Sequence, residues 1–170
     1  MKTKCTKTKF VLFLAILAAG FCLVLFVRNS QPYLDGKIQD TKQEFLTPIT
    51  HNEQELYALA AAIREEAMDH ADGLYWDPHH SNFPAELNAQ LSDFLESCPV
   101  TMDTVYVGGQ TQLIYPAGCC VFRCTIEDHR GVYAWVDLVY SPEYDEQVPA
   151  WYEKAEQIQP GWYISVLYGF

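Results

Sequence analysis

Three regimes of hydrophobic patterning follow one another along the chain. Phe10 to Val27 is one unbroken apolar run, FVLFLAILAAGFCLVLFV. A helix of that length spans ~27 Å, close to the thickness of a bilayer core. From Leu56 onward, apolar residues recur at spacings of three and four: Leu56, Leu59, Ala60, Ile63, Ala67, Ala71. That period is one face of an α-helix. Thr50-His51-Asn52-Glu53 fits a capping box at its start, and Gly73 suits its C-terminal cap. A second helix is expected from Pro84, with Leu87, Leu91, Phe94 and Leu95 buried and Cys98-Pro99 closing it.

Beyond residue 100 the period falls to two. Thr104–Val107 and Gln110–Tyr115 flank Gly108-Gly109, a hairpin signal. Cys119–Glu127 and Val132–Tyr140 are the clearest strands. A short helix is expected over Val148–Gln157, its Trp151 and Tyr152 folding back over the sheet. Gln159-Pro160-Gly161 then turns into a last strand, Trp162–Gly169. Helices followed by strands give an α+β domain, with two helices on one face of a four- or five-stranded antiparallel sheet.

One register can be chosen in advance. Asp128-His129-Arg130-Gly131 reads as a three-residue loop ending on a left-handed glycine, which pairs residues whose numbers sum to 260. Phe122 then faces Leu138, Cys124 faces Val136, and Ile126 faces Ala134. A slip of one would set Phe122 against Asp137 and flip every side chain.

Charge divides the chain as sharply as hydrophobicity does. Residues 1–28 carry +5, from Lys2, Lys4, Lys7, Lys9 and Arg28, and no acid. Residues 29–170 carry −16. A surface that acidic repels phosphate, so a nucleic-acid partner is excluded. Four lysines before the apolar run place the N-terminus in the cytoplasm and residues 29–170 outside. The apolar run carries on through Ala18-Ala19-Gly20, so an uncleaved anchor is expected over a cleaved signal. The expected organisation is a basic tail (1–9), a transmembrane helix (10–27), a tether (28–49, a mixed polar stretch with Pro32, Gly36 and Pro48) and an extracytoplasmic domain (50–170).

Candidate chemistry is sparse. Outside the cell, disulfides persist. Cys120 and Cys124 would stand ~13 Å apart along a strand, too far to bond each other. An unstrained bridge must therefore use Cys98, with Cys120 or Cys124, against a reduced and buried alternative. His70, Asp72, Asp77, His79 and His80 are metal-ligand types gathered in one segment, though without a fixed ligand spacing, and His70 also falls on the apolar stripe of the first helix, seven residues after Ile63. No nucleophile elbow or phosphate loop is present, and no catalytic residue is assigned. In the 260 register Tyr133, Trp135 and Arg123 lie on the face away from the helices, where amphipathic rings suit a protein or glycan partner.

The function expected is therefore a membrane-anchored, non-enzymatic interaction domain without a resident cofactor. A metal- or small-ligand-binding sensor and a surface hydrolase or thiol enzyme are the alternatives.

Overall fold

The computed structural model describes residues 3–97, 101–108, 118–127, 131–142 and 155–169; within the first helix, the side chains described are those of 12–22, 24–25 and 33–51. It is an α+β fold. The described elements are α1 (Thr3–His51), α2 (Glu53–Ala67), β1 (Gly73–Trp76), α3 (Ala85–Ser97), β2 (Thr104–Gly108), β3 (Cys120–Glu127), β4 (Tyr133–Tyr140), β5 (Glu156–Gln159) and β6 (Trp162–Gly169). The six strands form one sheet in the order β1-β2-β3-β4-β6-β5, antiparallel throughout.

The anticipated register holds. Phe122 faces Leu138, Cys124 faces Val136, Ile126 faces Ala134, and Arg123 faces Asp137. Gly131 takes φ 79°, the left-handed conformation expected of it; residues 128–130 of the loop lie outside those described. The last strand also runs as expected, Trp162–Gly169, after a turn at Pro160-Gly161.

Alternation then sorts the side chains. Val105, Val107, Cys120, Phe122, Cys124, Ile126, Ala134, Val136, Leu138, Trp162 and Ile164 point to one face and join the main core. Tyr106, Val121, Val139 and Tyr163 point to the other and form a second, smaller cluster with Cys119. The helices cover the first face.

The largest departure from expectation lies in residues 28–49. The tether read there is helix, the continuation of α1. Leu34, Ile38, Thr41, Phe45 and Ile49 are buried, at spacings of four, three, four and four. That is a heptad-like stripe, and it lies over β3 and β4. Pro32, Gly36 and Pro48 had suggested a tether, yet all three sit inside the helix. Burial of the stripe outweighs the hydrogen bonds that proline removes, since most helical stability comes from packing.

Several boundaries move for the same reason. Thr50 does not cap a new helix: its hydroxyl donates back to the carbonyls of Leu46 and Thr47 within α1. Asn52 occupies the N-cap of α2 and makes no side-chain cap bond. The helix ends at Ala67, not near Ala71, and Gly73 opens β1, a strand that patterning did not suggest. The end of the helix expected over Val148–Gln157 is strand β5 instead, and the rest of it lies outside the described residues. Both edges of β2 are taken, by β1 and β3; its expected hairpin partner, Gln110–Tyr115, lies outside the described residues.

The apolar run falls in the N-terminal half of α1. Every side chain described there is exposed, including Leu12 (62%), Phe21 (65%) and Val24 (63%). Among the described residues, no helix is long and apolar enough to cross a membrane. The side chains of Phe10, Val11, Leu23, Phe26 and Val27, which complete the run, are outside those described.

Candidate functional site

The most chemically distinctive place in the described structure is the outer face of β2, β3 and β4. Strand alternation puts Tyr106, Arg123, Trp135 and Asp137 there together, and pairing sets Arg123 opposite Asp137. The guanidinium donates from Nε to Asp137 Oδ1 at 2.7 Å and from Nη2 to Oδ2 at 2.7 Å. Nη2 also donates to the Tyr106 hydroxyl at 3.0 Å.

The ring of Trp135 lies 4.7 Å from the Arg123 guanidinium carbon, and that of Tyr106 lies 5.2 Å from it. The cation is thus flanked by two π faces while its fork grips one carboxylate, an arrangement suited to arginine and not to lysine. Asp137 is fully buried. Burial pushes the Tyr106 hydroxyl well above its ordinary range, and the Asp137 charge adds to this. Both keep the phenol protonated, so it remains a hydrogen-bond donor.

Of the three residues expected to bind a partner here, Arg123 is thus engaged within the protein. Tyr133 and Trp135 stand at the margin of the cluster, half-buried, their ring centroids 5.0 Å apart. Tyr133 also lies across Gly169 of β6. A Cβ on Gly169 would run into the tyrosine ring, so a side chain there would have to displace it. Aromatic cover of a cross-strand glycine is a recognised way to protect its backbone.

The residues expected to hold a metal do not converge. Among the described residues, no group of three or more His, Cys, Asp or Glu could hold an ion. His70 was placed on the buried stripe of a helix. The helix stops before it, and His70 is exposed beside Glu66, 3.4 Å away. Asp72, His79 and His80 are exposed. Asp77 accepts the backbone N–H groups of His79 and His80 at 2.7 and 2.8 Å, and the Tyr75 hydroxyl at 2.8 Å. Those bonds, the His79 amide foremost and then Tyr75, hold its carboxyl below the usual range. Its oxygens shape a turn.

Cys120 and Cys124 are unbridged, buried thiols; Cys98 lies outside the described residues. It is α1 and α2 that lie over β3, while α3, the helix leading to Cys98, packs on α2. Burial pushes the Cys124 thiol up to about 11 and the Cys120 thiol further. Neither has the depressed pKa of a reactive nucleophile.

Two features of this region escaped sequence reasoning. Tyr106 completes the arginine cluster; its signal was its position on a period-two strand between Val105 and Val107. The docked stripe of α1 was readable in the spacing of Leu34, Ile38, Phe45 and Ile49. No protein-family model matches this chain, and no curated protein or solved structure is significantly similar to it.

Proposed function

We propose that the chain is a single-pass membrane protein, its N-terminus in the cytoplasm and residues 29–170 outside. In this reading the outer domain acts by binding, not by catalysis. It meets a surface protein or glycan along the margin formed by Tyr133 and Trp135.

The observation that carries the reading is the contrast within α1. Leu12, Phe13, Leu14, Ile16, Leu17, Phe21, Val24 and Leu25 are all exposed. At about 3.6 residues per turn they point in most directions around the helix, so docking of one face cannot cover them. Moving that surface out of water is favourable by on the order of 10 kcal/mol, comparable with the whole stability of a domain. A lipid surround supplies such cover on every side. The basic residues before the run and the acidic domain after it support the orientation.

Extraction of membranes with alkaline carbonate should leave the full chain in the pellet. Protease added to intact cells should remove the outer domain. A chain released by carbonate, or one protected until cells are broken, overturns the anchor. For the binding face, Trp135→Ala should abolish retention of the full chain on a cell-surface polysaccharide or protein that captures the parent. Unchanged retention removes the aromatic margin from the account.

A further inference from the structure

We infer that the end of the sheet at Glu127, Tyr133 and Gly169 rests in the headgroup layer of the bilayer that holds residues 10–27. This deepens the anchor reading and rests on it. The domain is then not suspended on a flexible leash but seated on the lipid.

Two contacts along α1 set the orientation. Lys42 Nζ meets Glu156 Oε2 at 3.3 Å, and Glu156 pairs with Ile164 of β6. Seven residues nearer the N-terminus, Asp35 accepts the Tyr168 hydroxyl at 3.3 Å. Thus β6 runs antiparallel to α1, and its C-terminal end points toward the apolar run. Gly169 pairs with Tyr133, and Tyr133 with Glu127, so the end of β3, the start of β4 and the end of β6 share one level. The opposite end of the sheet, at Trp162, is ~23 Å away along the strand.

The distance to the lipid is short. Tyr33 follows Val27 by six residues of continuous helix, ~9 Å of rise. Helical side chains lean toward the N-terminus, which carries the Tyr33 ring back toward the bilayer. Tyr33 is 49% exposed and Tyr168 is 47% exposed, both at this end. Amphipathic rings at that depth suit a membrane–water interface. Glu127 and Gly131 are exposed on the same edge. The occupant is a zwitterionic interface, because the outer domain at −16 is repelled by anionic lipid.

The test uses the full chain with Cys5, Cys22 and Cys98 changed to Ser, reconstituted in phosphatidylcholine vesicles. One nitroxide is attached through Glu127→Cys, and in a separate protein through Pro160→Cys at the far end of β6. Contact with the interface predicts that a water-soluble nickel chelate relaxes the label at position 127 severalfold less than that at 160. The difference should vanish in detergent solution. Tyr33→Glu should raise the relaxation at position 127 while the protein still floats with vesicles. Equal accessibility of the two labels in a floating protein overturns this inference and leaves the anchor standing. Failure to float overturns both.

Discussion

The two faces of the sheet solve the same problem with different chemistry. The face under α1 and α2 is apolar at nearly every described position, with Phe122, Val136, Leu138 and Trp162 in contact with the helices' own stripe. The opposite face holds a smaller apolar cluster and, between its strands, the Arg123–Asp137 pair. Apolar burial is non-directional, so the first face tolerates other apolar side chains of similar volume. A buried ion pair gives little net stability against an apolar substitute, but losing one partner is costly. The first face therefore supplies most of the stability. The second supplies a geometric condition that β2, β3 and β4 must meet together.

The largest effect should come from stripping the first face of its cover. A chain begun at Thr50 lacks the stripe from Leu34 to Ile49 and should show no cooperative unfolding transition. A chain begun at Tyr33 should retain one. Equal transitions would mean that the α1 stripe contributes nothing to the core. Next are substitutions within each face. Phe122→Ala should cost about 3–5 kcal/mol in denaturant unfolding, from lost transfer energy and the cavity left behind.

Asp137→Ala should cost a similar ~3–5 kcal/mol, because Arg123 remains buried without its carboxylate. The double replacement Arg123→Met with Asp137→Leu should recover most of that loss. If the double variant is as unstable as the single, the contrast between the faces is wrong.

A pH series sharpens the comparison further. Burial raises the Cys124 pKa from its ordinary 9.0 to about 11, so the folded state resists forming the thiolate. The stabilisation is complete below the ordinary value and is lost as pH rises through the folded one. Urea midpoints should therefore fall across that alkaline window, and Cys124→Ala should flatten the part due to the inner face. Tyr106, raised by burial on the outer face, acts in the same direction at higher pH. The smallest effect belongs to the rim. Lys42→Ala, which removes the exposed pairing with Glu156, should change stability by no more than about 1 kcal/mol.

Much of the β half was legible because strand alternation and turn chemistry agree. Phe122, Cys124 and Ile126 could be matched with Leu138, Val136 and Ala134 in only one register, and Gly131 fits the loop that this register needs. The opposition of Arg123 and Asp137 followed at once. What alternation could not show was closure: whether Arg123 reached out to a ligand or inward to its neighbour depends on burial from outside the two strands. The α half was less legible. Prolines and a glycine were given more weight than the stripe of Leu34, Ile38, Phe45 and Ile49, although tertiary packing routinely overrides local propensity. His70 failed because a helix ended one turn earlier than its periodicity suggested.

The shared helix α1 also governs the order of assembly. The segment from Leu34 to Ile49 leaves the ribosome before the strands it packs on, and the partners of Lys42 and Asp35, Glu156 and Tyr168, come 114 and 133 residues later. Its apolar stripe stays uncovered until β3 and β4 have been made. A ribosome that stops before β3 therefore releases a chain with its greasy strip bare to quality-control proteases.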